Sequence, residues 1–129
     1  MGVPAAKQGD LIVAVDTHLE QPPSLVPPIP LVNPFSAPIT TGLSADVMIE
    51  KRPAATLGSG GTSLPPHIPK IGTFVVPPTN QGTIIMGSTS VFINKKPAAR
   101  IGDPALTCND PVPLPVGSVI VPFSAVMIG

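Results

Sequence analysis

A threefold internal repeat limits the folds open to this chain more than any other feature of its sequence. The pattern Pro-Ala-Ala-x-x-Gly, followed by Asp or Ser, occurs three times, at residues 4–10, 53–59 and 97–103. An apolar triplet follows each copy, with a serine shortly before it; the triplets are residues 47–49, 91–93 and 126–128. Two linked motifs that keep one order three times predict related structural units. The units are placed at about 4–52, 53–96 and 97–129, within a single domain spanning residues 1–129.

The composition favours strands and loops over helices. Of 129 residues, 20 are Pro and 12 are Gly, which disfavour helices, whereas 43% are hydrophobic and only 11% are charged. No segment shows a sustained 3.6-residue period, and short β-branched runs lie between turn-forming residues. The sequence therefore predicts an all-β fold. The predicted strands are residues 11–15, 45–49, 83–86, 90–93, 118–121 and 125–128.

Two proline-rich stretches, residues 21–38 and 58–69, lie between the motifs. Proline has no N–H and cannot donate a hydrogen bond to a neighbouring strand. We therefore expect these stretches to form extended loops or polyproline II runs and not the interior of a sheet.

The chain has two histidines and one cysteine, and each unit holds one of them at nearly the same place. His18 and His67 each lie eight residues after the last motif position of their units, and Cys108 lies five residues after it. Taken alone, a histidine in a loop is usually exposed and a lone cysteine is usually a small buried hydrophobe. Their equivalent positions predict instead that a pseudo-threefold axis brings the three side chains to one metal ion.

The third motif copy carries a family resemblance. Residues 87–103 read Gly-Ser-Thr-Ser-Val-Phe-Ile-Asn-Lys-Lys-Pro-Ala-Ala-Arg-Ile-Gly-Asp, which resembles the signature of PAAR-repeat proteins. The two degenerate copies and the ligand placement extend the resemblance along the chain. It implies a small cone of three pseudo-threefold β-repeats with its apex held by a metal. Such proteins cap the trimeric spike of contractile injection systems: type VI secretion systems, phage tails and extracellular phage-tail-like particles.

The resemblance also implies a metal, usually zinc, held by three histidines and one cysteine. The thiolate is a soft ligand, which makes iron less favoured. His18, His67 and Cys108 fall where such ligands are expected, and the chain has no third histidine. Four protein ligands are usual in structural zinc sites, and oxygen is an acceptable donor. Water, Asp110 or Asn33 could therefore supply the fourth ligand, with water or Asp110 preferred.

An open coordination position is also typical of catalytic zinc. A small metal-dependent hydrolase with an open His-His-Cys site is therefore one alternative, and Asp16 and Glu20 are its candidate general bases. The chain offers no evident base–orienter pair and is short for a substrate pocket, so we expect no enzyme. A disordered proline-rich adaptor is the other alternative.

The apolar triplets predict an interface. Alternate residues of a strand face opposite sides, so Met48, Phe92 and Met127 face one way and their Val and Ile neighbours the other. A strand that is apolar on both faces is usually covered on both. We expect the triplets to dock onto the blunt end of a trimeric β-helical spike, one tip per trimer, or else to lie inside the domain. The expected interface residues are Val47, Met48, Val91, Phe92, Val126 and Met127.

Charge and hydropathy narrow the remaining choices. Seven basic residues balance seven acidic ones and there is no Trp or Tyr, so nucleic acid is not an expected partner. The first ten residues lack the pattern of a secretory signal, and the uncharged stretches hold too many prolines for membrane helices. We expect a soluble protein that assembles in the bacterial cytoplasm and then becomes part of an injection particle. The other expected partners are cargo or effectors and, transiently, the target membrane.

Overall fold

The computed structural model describes residues 2–24, 26–109 and 112–129. Over these residues the fold is all-β, as predicted, with thirteen strands and no helix. Accordingly, that part of the chain holds no helix with the length and apolar character needed to cross a membrane. The strands are β1 Val3–Pro4, β2 Leu11–Gln21, β3 Ile29–Pro38, β4 Met48–Ile49, β5 Arg52–Pro53, β6 Gly60–Thr62, β7 Thr73–Phe74, β8 Gln81–Ile84, β9 Phe92–Ile93, β10 Lys96–Pro97, β11 Pro104–Thr107, β12 Leu114–Ile120 and β13 Met127–Ile128.

One curled sheet of seven strands forms the body of the molecule. Its strand order is β3-β2-β12-β11-β8-β6, and β7 pairs with the far end of β2. The outer strands close on each other, because Gly60 N–H donates to Thr41 O (3.1 Å) and Thr41 N–H donates to Gly60 O (3.0 Å). A Cβ at Gly61 would lie 1.9 Å from the Pro38 carbonyl oxygen, so this seam requires glycine. The closed sheet surrounds a core that includes Ile12, Phe35, Ile39, Ile84 and Val119.

The three Pro-Ala-Ala motifs meet in a closed ring of hydrogen bonds. Ala6 N–H donates to Ala99 O (2.9 Å), Ala99 N–H donates to Ala55 O (3.0 Å), and Ala55 N–H donates to Ala6 O (3.1 Å). All three alanines are 0% exposed. A larger side chain at any of them would enter a close-packed interior. The ring explains the alanines of the motif and relates the three units by an approximate threefold axis.

The end of each motif forms a tight turn. Gly9, Gly58 and Gly102 have φ angles of +90°, +94° and +86°, which side chains other than glycine rarely adopt. The next residue accepts a hydrogen bond from the N–H three positions earlier. The Asp103 carboxylate, for example, accepts from Arg100 N–H (2.7 Å). Equivalent bonds in the other two units give Asp or Ser the same structural role.

The apolar triplets contribute to three short hairpins at one end of the sheet. β4 pairs with β5 and β9 pairs with β10, and their two-residue turns have positive φ at both positions, as in type I′ turns. The third hairpin consists of β1 paired with β13 and has no connecting turn, because these two strands come from opposite ends of the sequence. The unit at 97–129 is therefore completed by residues near the start of the chain.

The two faces of these hairpins differ in burial. Ile49 and Ile93 are buried in a small core with the first motif alanines Ala5, Ala54 and Ala98. Their neighbours point the other way, and Met48, Phe92 and Met127 are 55%, 58% and 56% exposed. Each hairpin thus has one face in the domain and one apolar face in contact with solvent.

The expectation of a loop or polyproline II run over residues 21–38 is wrong for most of this stretch. Residues 29–38 form β3, which pairs with β2 at ten successive positions. The prolines at 30, 34 and 38 stand four residues apart, so their nitrogens point to the same edge of the strand. Ser36 shares that direction, and its N–H faces away from β2 toward Ser63 Oγ (3.4 Å). Proline is tolerated in β3 because its nitrogen faces the side without β2.

Other boundaries also differ from the prediction. β2 begins at Leu11 as expected but continues to Gln21, and β12 begins at Leu114. β11 lies where the sequence predicts no strand. β6 lies within the second proline-rich stretch, residues 58–69, where a loop is expected. The extra length of β2 carries polar residues on the buried face, at positions 16, 18 and 20. These positions lead to the functional site.

Candidate metal centre

Four buried side chains converge at the end of the sheet away from the hairpins. They are Asp16, His18, His67 and Cys108, and their ligand atoms all lie within 4.8 Å of one another. Asp16 and His18 are 0% exposed, Cys108 is 5% exposed and His67 is 8% exposed. The structure therefore brings together the three side chains predicted as ligands. It adds Asp16, which the sequence indicated only as a candidate general base.

Each of these side chains reaches the centre from a different local structure. Asp16 and His18 lie two residues apart on β2 and so share its inward face. Cys108 directly follows β11. His67 lies in the segment between β6 and β7, where its N–H donates to Asn80 Oδ1 (2.9 Å). The rings of His18 and His67 come together with their centroids 4.9 Å apart.

The Asp16 carboxylate is held in one orientation. Its Oδ1 accepts hydrogen bonds from Thr107 Oγ1 (2.5 Å) and Asn109 Nδ2 (3.2 Å). Its Oδ2 lies 3.0 Å from His67 Nε2 and 3.4 Å from Cys108 Sγ. One oxygen is thus anchored to residues that flank the cysteine, and the other faces the centre. Such supporting bonds orient metal ligands in proteins.

The separations suit a four-coordinate metal ion. Atoms bound at about 2.0–2.3 Å, the range found for zinc, stand roughly 3.3–3.8 Å apart in a tetrahedron. Cys108 Sγ lies 3.8 Å from His18 Nε2, and the two contacts of Asp16 Oδ2 are 3.0 and 3.4 Å. Two imidazoles, one thiol and one carboxylate could therefore hold one ion with small adjustments of position.

The cysteine has an altered acidity in this setting. Burial first, and then the charge of the neighbouring Asp16 carboxylate, raise the pKa of the Cys108 thiol from 9.0 to about 11. Without a metal the thiol is protonated at neutral pH. A cation that binds the sulfur would displace this proton and also neutralise the buried carboxylate.

The remaining residues named from the sequence have other positions. Asn33, a candidate fourth ligand, lies opposite Asp16 in the β2–β3 pairing and is 4% exposed. Asp110, the other candidate, lies outside the described residues. Glu20 is 0% exposed, and its Oε1 accepts from Lys70 N–H (2.8 Å) and Ile71 N–H (2.9 Å). This carboxylate anchors the segment that follows His67.

Sequence reasoning missed Asp16 as a ligand-type residue and the two residues that orient it, Thr107 and Asn109. The signal for Asp16 is its place two residues before His18, because such a pair shares one face of a strand. That signal requires β2 to continue past residue 15, which the prediction did not include. Thr107 and Asn109 carry no comparable signal, since their role depends on a contact more than 90 residues away in sequence.

Fold and site together define a class of protein: a small all-β domain of three related units, with hairpins at one end and a buried group suited to a metal ion at the other. The chain belongs to the PAAR motif family, whose model matches residues 34–113 and 75–129. No curated protein and no solved structure matches the chain. Family membership supports a structural spike-tip protein of contractile injection systems in general.

Proposed function

We propose that this protein caps and sharpens the end of a trimeric β-helical spike, one tip per trimer, and leads it through the target envelope. One observation carries the proposal. Three exposed apolar side chains, Met48, Phe92 and Met127, occupy related positions on the three hairpins. The candidate metal centre lies further along β2, away from the motif and the hairpins.

This apolar end fits the expected partner. The end of a trimeric β-helix presents an apolar core and unpaired strand edges in threefold arrangement, which a cap must cover. Contiguous exposed apolar surface usually marks an interaction site. Val126 is also exposed, at 38%, whereas Val47 and Val91 are partly buried against the small hairpin core. The exposed side chains would therefore make the contact, and Val47 and Val91 would support them.

Zinc at the other end would stabilise the point. The inward positions of β2 there are polar, namely Asp16, His18 and Glu20, so the apolar burial worth about 25 cal/mol per Å² is scarce. Zinc binding contributes apparent free energies of roughly 10–16 kcal/mol in small structural sites. A set of thiol, imidazole and carboxylate donors suits zinc, and the soft thiolate makes iron the less favoured ion.

A structural site accounts for the geometry better than the two alternatives. A hydrolase needs an open coordination position and a separate base. Of the two candidate bases, Asp16 is itself one of the four donors, and Glu20 Oε1 accepts hydrogen bonds from Lys70 N–H and Ile71 N–H. A polyproline adaptor needs an unpaired segment, but the stretch at 29–38 is a paired strand. We also propose that the tip assembles in the bacterial cytoplasm, leaves with the particle, contacts the target membrane transiently and can help load cargo.

The test is binding to the purified trimeric spike of the same injection system. Phe92→Asp places a charge on the exposed hairpin face, and we expect it to abolish the complex while the isolated domain stays folded. Val15→Asp is the matched control, because Val15 is 63% exposed on β2, away from the hairpins. Size-exclusion chromatography with light scattering measures both. Retained binding of Phe92→Asp would reject the interface, and failure of the native protein to bind would reject the function.

A further inference from the structure

We infer that two basic corners at the hairpin end pair with carboxylates on each subunit of the spike, an inference that rests on the proposed function. The first basic corner is Lys51 with Arg52, and the second is Lys95 with Lys96. The two corners occupy corresponding positions in their hairpins, since each lysine at 51 and 95 is the second residue of a two-residue turn. All four side chains are exposed.

Within the part of the chain that the structure describes, these four cations form no ion pair with another residue of the domain. Among the described residues the other two cations near the motifs are paired, Lys7 with Asp10 (3.2 Å) and Arg100 with Asp103 (2.9 Å). Arg52 donates one long hydrogen bond, from Nη1 to Gln8 O (3.4 Å).

The nearby carboxylates have partners of their own. Glu50 Oε1 accepts from Ala125 N–H (2.9 Å), and Asp46 Oδ2 accepts from Asn94 Nδ2 (3.1 Å). The hairpin end therefore has four cations and two carboxylates, and both carboxylates accept hydrogen bonds from other groups. This end carries excess positive charge.

The third corner differs from the other two. Its hairpin is built from β1 and β13, and residues 2–4 and 126–129 contain no charged side chain. A cap with two charged corners and one neutral corner would meet a partner with three identical subunits. Each subunit must then offer the same carboxylates, and any of three equivalent rotations satisfies both basic corners.

The position of the basic corners beside the apolar side chains predicts their effect on binding to the spike. Exposed apolar side chains such as Phe92 lie beside the two basic corners, which matches the usual apolar centre and polar rim of an interface. Changing a rim charge mainly alters the association rate and its salt dependence, whereas most other interface substitutions act on the dissociation rate. Electrostatic steering raises association rates by about 10- to 1,000-fold.

The experiment measures association and dissociation rates on the immobilised trimeric spike. We expect Lys51→Glu combined with Lys95→Glu to lower the association rate by about tenfold or more, with little change in the dissociation rate. Raising the salt concentration should slow the native protein and not the double variant. Lys70→Glu is the matched control, because Lys70 is an exposed lysine beside the metal-type centre.

The outcomes separate this inference from the proposed function. Native binding that is unaffected by salt and by the double variant, but lost in Phe92→Asp, would overturn the basic corners and leave the cap intact. No native binding would overturn both. Anionic phosphatidylglycerol vesicles test a membrane surface as the alternative partner. Salt-sensitive vesicle binding that requires the four cations, with unchanged spike association, would also overturn the inference.

Discussion

His67 Nε2 lies 3.0 Å from Asp16 Oδ2, although the two residues are 51 positions apart in sequence and their side chains are almost fully buried. The same oxygen also accepts a hydrogen bond from Cys108 Sγ (3.4 Å). A buried carboxylate is unfavourable without strong partners. A metal ion in this place would bind all three groups and compensate the charge. Metal binding at this pair would therefore explain why a polar cluster occupies the interior of the sheet.

The first prediction concerns Asp16 as the fourth ligand. Asp16→Asn keeps the shape but removes the negative charge, and we expect it to weaken zinc binding by more than the roughly 10- to 100-fold seen when supporting residues are changed. Competition with a chromogenic chelator measures the affinity. Asp46→Asn is the matched control, since Asp46 is exposed at the hairpin end. Equal affinities in the two variants would remove Asp16 from the ligand set.

The second prediction concerns removal of the metal. The free energy of zinc binding, about 10–16 kcal/mol, is as large as the whole stability of a typical domain, about 5–15 kcal/mol. A chelator should therefore lower the thermal unfolding midpoint strongly and reduce the β-type circular dichroism. Cys108→Ser should start from a lower midpoint and respond much less to the chelator. If metal-loaded and chelated native protein unfold at the same temperature, the metal has no structural role.

The third prediction concerns pH. Because the pKa of the Cys108 thiol is raised to about 11, metal binding releases a proton from sulfur at neutral pH. The apparent zinc affinity should then rise about tenfold per unit between pH 7.5 and 9, because one thiol proton is released for each ion bound. Chelator competition at several pH values measures the slope. Cys108→Ser should lose it, and a slope that survives the substitution would assign the proton to another group.

The same shift affects the metal-free protein with a definite sign. The thiol ionises more readily in the unfolded chain, where its pKa is near 9, than in the folded protein, where it is about 11. The folded state therefore keeps its full stability below pH 9 and loses stability as the pH rises from 9 to 11. Urea unfolding of chelated protein at pH 8 and 10 tests this. Cys108→Ala should show a smaller decrease.

Much of the fold follows from the repeats. The repeated motif supplies the alanines of the hydrogen-bonded ring, Ala6, Ala55 and Ala99, and also the three glycines with positive φ. The turns at 50–51 and 94–95 also follow from the repeated positions. These features are local or repeated: the motif occurs three times in the sequence and the turn twice. The same redundancy made His18, His67 and Cys108 stand out as a set.

Features that occur once were harder to predict. β3 was misjudged because proline content alone does not say which edge of a strand its nitrogens face. β2 was predicted too short because Asp16, His18 and Glu20 interrupt the apolar pattern that marks a strand. The role of Asp16 was missed for the same reason. Polar residues at a functional site break the apolar pattern from which the strand would be predicted.

The last prediction uses the alanine ring as a test of the threefold core. Ala55→Val adds two methyl groups at a position with no exposed surface, inside a ring whose hydrogen bonds are 2.9–3.1 Å long. Overpacking of this kind destabilises by about 1–3 kcal/mol, and Ala6→Val and Ala99→Val should have similar effects because the three positions are related. Ala45→Val is the control, since Ala45 is exposed. Urea unfolding with unchanged slope measures the differences. Three unequal effects, or an effect as small as that of Ala45→Val, would show that the motifs do not form one close-packed ring.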